Sequence, residues 1–203
     1  KIEKVAVLGA GTMGAQIAGH LANAGIPSCL FDISQELAEK GVEILTSLKP
    51  APLYKPKNIE LIEACNYDQH LEKIKEVDWV LEAVAENLEI KHKVYNNIMD
   101  FIKDTTIVSS NTSGIPLADL TEVMSDDVKK RFLITHFFNP PRYMRLLELV
   151  KGPNTSDDVY NNMASFGENI LGKGIVHAKD TPNFVGNRIG VHGGNNAVRL
   201  AIE

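Results

Sequence analysis

Three glycines, at positions 9, 11 and 14, constrain this chain more than any other feature. They lie in Lys4–Asp32, KVAVLGAGTMGAQIAGHLANAGIPSCLFD. Val5–Leu8 is a short apolar run of the kind that forms a buried parallel strand. The helical pattern that follows opens at Thr12 and Met13 and places Ile17, Leu21 and several alanines on one side. Gly25 stops that helix, Pro27 follows it, and a second apolar run, Ser28–Phe31, ends at Asp32. In such a unit Gly9 permits the tight turn, Gly11 lets the backbone approach a pyrophosphate, and Gly14 lets helix and strand pack closely. The unpaired amides at the helix start, from Thr12, Met13 and Gly14, suit phosphate oxygens. A bare G-x-G-x-x-G also arises as a purely structural turn. Here a strand precedes it, a helix follows it and an acid stands about twenty residues on, which indicates dinucleotide binding. Asp32 would accept hydrogen bonds from an adenosine ribose and repel a 2′-phosphate, so the expected cofactor is NAD rather than NADP.

The rest of the 203 residues alternates strands with helices. After Asp32, Ser34 is placed to cap a helix running through about Leu48. Lys49–Asn58 carries three prolines, which exclude helix interior and central strand, so a surface loop is expected. Its three lysines either meet an anionic ligand or are simply solvated. Asp68–Ile74 reads as a short helix and Val77–Val84 as a buried strand. A long amphipathic helix begins at Ala85-Glu86-Asn87, with Ile90, Val94, Ile98, Phe101 and Ile102 at helical spacing. Thr106–Ser110 is the next strand, Pro116 opens another helix, and Phe132–Thr135 is a strand ending at His136. Leu146–Val150 is a strand, Asp157–Leu171 a helix and Ile175–Ala178 the last strand. The alternation predicts a Rossmann-type, doubly wound, mostly parallel α/β sheet.

Composition excludes several classes of function. The formal net charge is −5 and no basic cluster is present, so nucleic acid is not an expected partner. No apolar run is long enough for a membrane span. The first residues enter a strand directly, with no targeting pattern, and a cytoplasmic, bacterial setting is expected. Cys29 lies in a strand and Cys65 in a stretch that reads as irregular. The two have neither disulfide nor metal-ligand spacing, and the six histidines lack ligand spacing too. No metal is expected.

In doubly wound sheets ligands sit beyond the carboxyl ends of the strands. Glu86, Asn111–Ser113 and His136 all fall at such ends. Glu148 is out of place in the apolar strand Leu146–Val150, where an unpaired carboxylate would cost several kcal/mol. Two partners suit it. A Pro-Pro turn between the two strands lets Glu148 return beside His136, where it would fix the imidazole tautomer and stabilise its protonated form. Alternatively, Glu148 pairs with Arg142 or Arg145.

The segments LGAGTMG, AENL (Ala85–Leu88), SSNTSG, THFFNPP, LLELV and KDTPNFVGNR occur in this order. Together they resemble the NAD-binding part of L-3-hydroxyacyl-CoA dehydrogenases over nearly the whole chain. The PPRY variant looks most like the dehydrogenase part of long bacterial β-oxidation chains. The resemblance implies oxidation of an L-3-hydroxyacyl-CoA to a 3-ketoacyl-CoA in fatty-acid metabolism. It implies His136 as base, Glu148 as its orienting partner, Ser113 on the substrate's 3-oxygen and Asn187 beside the reacting centre. Glu86 and Lys91 match cofactor-side positions, and Asn139 matches one near the nicotinamide. Gly114 departs from the pattern, standing where many members have a second serine. The Lys49–Asn58 loop is shorter than the family's lysine-rich, CoA-contacting arm. A sugar-acid dehydrogenase of the L-gulonate 3-dehydrogenase, lambda-crystallin type is the alternative, and a non-catalytic NAD-binding module is a third reading. The pattern after Asp180 continues as an apolar helix. The resemblance implies that residues 1–180 form the NAD-binding domain and 181–203 the first helix of a helical C-terminal domain that forms a homo-oligomer.

Overall fold

The computed structural model describes residues 1–202. One eight-stranded sheet organises the chain, in the order β3-β2-β1-β4-β5-β6-β7-β8. The strands are β1 (Val5–Leu8), β2 (Ser28–Asp32), β3 (Ile62–Asn66), β4 (Trp79–Glu82), β5 (Ile107–Ser110), β6 (Phe132–Phe137), β7 (Leu146–Lys151) and β8 (Gly174–Ala178). β1 to β6 are parallel. β7 runs antiparallel to β6, and β8 is parallel to β7. The chain winds outward from β1 to β3, then crosses to β4 on the other side of β1. That reversal opens a crevice above the carboxyl ends of β1 and β4.

The helices are α1 (Thr12–Asn23), α2 (Gln35–Glu43), α3 (Leu88–Ile98), α4 (Leu117–Leu120), α5 (Asp126–Lys129), α6 (Asp157–Asn169) and α7 (Gly186–Ile202). Alternation along β1 shows how the core divides. Val5 and Val7 pack with Ile17 and Leu21 of α1 and Met163 and Phe166 of α6. Ala6 and Leu8 face the other way, toward Phe31, Ile74 and Ile98. Further along the sheet, Tyr95 of α3 packs with Val108, Leu117, Phe132 and Ile134. Strands buried on both faces read as continuous apolar runs, which is why β1, β4 and β6 are legible in the sequence.

Several expectations are corrected. Cys65 is not in an irregular stretch but in β3, paired in register with β2 from Ser28↔Ile62 to Asp32↔Asn66. β3 is an edge strand with exposed Glu63 as its second residue, so it shows no apolar run. The α2 helix ends at Glu43 and continues only as a 3₁₀ turn, Ile44–Thr46. The helix expected at Asp68–Ile74 is a 3₁₀ stretch over Leu71–Glu76. The helix opened by Pro116 is a single turn, and α5 follows it under its own cap, Ser125. Gly25 (φ 77°) ends α1 as expected. The Lys49–Asn58 loop is pinned to the body. Arg142 donates to the Ala51 and Leu53 carbonyls at 2.5 and 2.9 Å and stacks on Tyr54 and Tyr143. No helix among the described residues is long and apolar enough to cross a membrane. Glu203, the last residue of the expected C-terminal helix, lies outside the described residues.

One buried histidine gives the fold a pH dependence. His20 of α1 donates from Nε2 to the Leu171 carbonyl at 3.1 Å, and its Nδ1 has no partner. Burial, reinforced by the charge of Lys173, pushes its pKa from 6.5 down to about 4. Between these values the unfolded chain binds a proton that the folded protein does not, so stability falls as pH is lowered through this window. Thermal melts from pH 7 to 4 should therefore show a smaller loss of Tm in His20→Met than in the wild type. Parallel curves would assign the acid sensitivity to other groups.

Candidate active site

The site is built on strand ends. Gly9 leaves β1 with φ 103°, and a Cβ there would stand 2.7 Å from the Ala83 carbonyl oxygen. A Cβ on Gly14 would overlap the Gly9 carbonyl oxygen, so α1 starts directly on the turn. Gly11 is different. Its φ is −68°, and no atom lies within 4 Å of where its Cβ would be. The protein itself does not need glycine at position 11, whereas a ligand approaching the backbone would. The start of α1 also lacks the side-chain cap that Ser34, Asn87, Ser125 and Ser156 give to α2, α3, α5 and α6. The first intrahelical bond is Ala15 N–H to the Gly11 carbonyl, which leaves the Thr12, Met13 and Gly14 amides at the helix mouth. Asp32, half-buried at the end of β2, accepts from the Ala10 amide at 2.8 Å and the Ile33 amide at 2.7 Å.

At the other end of the crevice, His136 and Glu148 are register partners across the antiparallel β6–β7 pair. Imidazole Nδ1 lies 2.7 Å from Glu148 Oε2. Glu148 is fully buried, and its Oε1 accepts from the Val185 and Gly186 amides at 2.9 and 2.7 Å. The carboxylate can only accept, so Nδ1 carries the proton and Nε2 presents a lone pair. The Ser113 hydroxyl lies 3.2 Å from Nε2 and donates to it when the imidazole is neutral. Phe138 and Phe184 flank the imidazole, with ring centroids 4.6 and 5.8 Å away. Arg142, one of the alternative partners for Glu148, is instead engaged with the Lys49–Asn58 loop.

Glu86 joins the two halves. Its Oε1 accepts from the Ser113 amide at 2.9 Å and from the Thr112 hydroxyl, and its Oε2 lies 3.1 Å from Lys91 Nζ. Burial alone would raise its pKa, but Thr112, Lys91 and the Ser113 amide together hold it below the ordinary carboxylate value. Lys91 is fully buried between Glu86 and Glu82, so its ammonium does not reach the crevice surface. Asn139 is held from below by Gln16, whose Nε2 lies 3.2 Å from the Asn139 Oδ1. Asn187 stands one residue beyond Gly186, but no hydrogen bond joins its side chain to Ser113, His136 or Glu148 among the described residues. At Gly114 a Cβ would lie 3.2 Å from Asn183 Oδ1, so a serine there would crowd that side chain.

Sequence reasoning missed three participants, and it placed Asn111 at a strand end without a partner. Asn111 accepts from the Phe137 amide at 2.9 Å and ties the end of β5 to β6. Asp180 accepts from the Leu117 amide at 3.1 Å, which fixes the approach to α7. Gln16 gives no signal within its helix. Glu82 does carry one, the same as Glu148: a carboxylate inside an apolar strand. The pairing of β2 with β3 also gathers Cys29, Glu63 and Cys65, whose ligand atoms lie within 4.8 Å of one another. The sequence spacing did not anticipate this group, and Lys73 already pairs with Glu63 beside it.

Comparison with known proteins matches residues 4–181 to the family described as 3-hydroxyacyl-CoA dehydrogenase, NAD binding domain. A probable 3-hydroxyacyl-CoA dehydrogenase of Bacillus subtilis is 46% identical over 95% of this chain and 27% of its own length. One from Deinococcus radiodurans is 47% identical over 95% of this chain and 58% of its own length. The chain thus spans between about a quarter and three fifths of these relatives. The crystal structure of (S)-3-hydroxybutyryl-CoA dehydrogenase from Ralstonia eutropha superposes with a TM-score of 0.82. It is 34% identical and covers 93% of this chain and 68% of that one. The open space over Gly11, the uncapped α1 and Asp32 at the end of β2 fit NAD.

The glycines give a test that separates folding from binding. Gly11→Ala meets nothing in the protein, so its Tm should stay within a degree or two of the wild type, while NADH affinity drops about tenfold or more. Gly14→Ala should instead fail to fold, because the new methyl has no space. Unchanged NADH affinity in Gly11→Ala would place the pyrophosphate elsewhere.

Proposed function

Because the chain belongs to the 3-hydroxyacyl-CoA dehydrogenase family through its NAD binding domain, we propose that it oxidises the 3-hydroxyl of an L-3-hydroxyacyl-CoA to the 3-ketone, a step of fatty-acid β-oxidation. The observation that carries this reading is the line Ser113–His136–Glu148, in which the imidazole held by Glu148 turns its Nε2 toward the serine hydroxyl. Bound NAD supplies the hydride acceptor. His136 Nε2 takes the hydroxyl proton as the hydride leaves C3, and Glu148 holds Nδ1–H and balances the imidazolium. Ser113 steadies the 3-oxygen as its charge changes. Phe138 and Phe184 exclude water from the imidazole. Asn187, carried on the helix that Glu148 anchors, stands beside the reacting centre. Asp32 takes the adenosine ribose, Glu86 and Asn139 border the nicotinamide end, and Lys91 acts there through Glu86.

In this reading α7 belongs to a helical C-terminal domain that covers the acyl-CoA and forms the homo-oligomer. The helix has no buried residue, and Ile189, Val191, Val198 and Leu200 are exposed along it. Residues 1–203 alone should bind NADH yet turn over acyl-CoA poorly, since solvent reaches the hydride-transfer site. Equal kcat/KM for residues 1–203 and the full-length protein would remove that assignment.

The substrate is tested by NADH oxidation with acetoacetyl-CoA beside NAD reduction with L-gulonate, in the full-length protein. Activity confined to L-gulonate would replace the acyl-CoA reading. His136→Gln should lower kcat by about 10²–10⁴-fold while NADH affinity stays near that of the wild type. A kcat within a few-fold of the wild type would mean that another group is the base. Asp32 should make kcat/KM for NADH exceed that for NADPH by roughly a hundredfold, since a 2′-phosphate beside a carboxylate costs several kcal/mol.

A further inference from the structure

Glu82 closes β4 with a side chain that is fully buried, and every one of its hydrogen-bonding contacts is internal. Its Oε1 accepts from Lys91 Nζ at 2.7 Å and the Val84 amide at 2.8 Å. Its Oε2 accepts from the Tyr95 hydroxyl at 2.8 Å and the Ser110 hydroxyl at 2.6 Å. These donors come from three segments: the turn after β4, helix α3 and the end of β5. Each segment leads to the crevice. The Ala83–Val84 backbone supports the Gly9 turn. Lys91 bridges onward to Glu86, which holds the Ser113 amide. Ser110 in turn accepts from the Thr112 amide at 3.1 Å, one residue before Ser113.

We propose that Glu82 is a positioning residue for the dehydrogenase reaction, setting where Glu86 and Ser113 stand by neutralising Lys91 and holding the two strand-end turns together. The proposal rests on the reading above, in which Glu86 faces the cofactor and Ser113 the substrate oxygen. Stability alone does not account for the arrangement. A buried ion pair is often matched or bettered by apolar residues of similar volume, because two charges must be stripped of water. What apolar residues would not supply is direction. A carboxylate with four donors fixes both oxygens, and through Lys91 and Ser110 it fixes the turn that carries the Ser113 hydroxyl toward His136. A displacement of about 1 Å at such a site is enough to slow turnover about a hundredfold.

The test compares Glu82→Gln and Glu82→Gln/Lys91→Met with the wild type in the full-length protein, by thermal melting, NADH titration and steady-state reduction of acetoacetyl-CoA. Glu82→Gln removes the shorter of the two ion pairs that hold buried Lys91 and leaves it only Glu86 at 3.1 Å, so its Tm falls. The double variant removes both charges and recovers most of that Tm. If Glu82 positions the site, both variants stay roughly ten- to a hundredfold below the wild type in kcat and bind NADH several-fold more weakly, and Ser110→Ala, which leaves the Lys91–Glu86 pair intact, loses kcat several-fold as well. If the role is only structural, kcat and NADH affinity return to wild-type values with the Tm of the double variant, and the proposal is overturned. Should neither variant fold, Ser110→Ala decides. It keeps every charge and removes one bond of the carboxylate, so a several-fold loss of kcat supports the proposal and wild-type kcat overturns it. A wild type that neither binds NADH nor reduces acetoacetyl-CoA would sink the dehydrogenase reading. A wild type that does both, matched by the double variant, would sink the Glu82 assignment alone.

Discussion

Backbone pressed against backbone at the first turn is the contact on which the rest depends. Gly14 lies over the Gly9 carbonyl, and Gly9 lies against Ala83 of the neighbouring strand end, with no side chain between any of them. Helix α1 therefore begins within a backbone's thickness of the sheet, at the place where strand order reverses from β1 to β4. Three consequences follow. The amides at the mouth of α1 face the crevice, Asp32 reaches the turn from β2 to hold the Ala10 amide, and the β4 turn that leads to Glu86 is fixed in height. A larger residue at either glycine would lift the helix and disperse these groups.

Two fully buried carboxylates then fasten the chemistry to this frame. An unpaired carboxylate in a dry interior would cost several kcal/mol, and neither is unpaired. Glu82 has four donors and Glu148 has three, counting the imidazole. Each joins segments distant in sequence: Glu82 reaches Ser110, and Glu148 reaches Val185 and Gly186. They differ in what they present outward. Glu82 is enclosed and speaks to the crevice through Lys91 and Glu86. Glu148 touches an imidazole whose far nitrogen opens toward Ser113.

How far the sequence could be read follows from where its signals are local. β1, β2, β4 and β6 are short, mostly apolar runs because they are buried on both faces, and the helix cap at Ser34 is a local hydrogen bond. The edge strand β3 was not legible, since exposed Glu63 and polar Asn66 leave it no apolar run. The strand ends pointed to Glu86, Ser113 and His136, and the cost of burying Glu148 singled it out. Which group would satisfy Glu148 stayed open between His136 and the arginines, because the β6–β7 register and the engagement of Arg142 by a loop ninety residues earlier are tertiary facts. Gln16 acts through a side-chain contact across the fold, to Asn139, and nothing in its local pattern marks it.

The geometry around Glu148 also links the imidazole to the last helix. Glu148 Oε1 receives the Val185 and Gly186 amides at the amino end of α7, where the helix dipole favours an anion. Just before them, Asn183 and Phe184 have φ of 62° and 44°, and for a phenylalanine that conformation costs of the order of 1–3 kcal/mol. The strain is held in place by burial of Phe184 against His136 and by the grip of Asp180 on the Leu117 amide. One carboxylate thus has two loads, the imidazole on one oxygen and the start of α7 on the other. Movement of α7 away from the sheet would withdraw two amides from Glu148 and Phe184 from the ring. It would change the charge environment and the water access of His136 together. The orientation of α7 is therefore tied to the Glu148–His136 pair, although the helix contributes no buried side chain to the core.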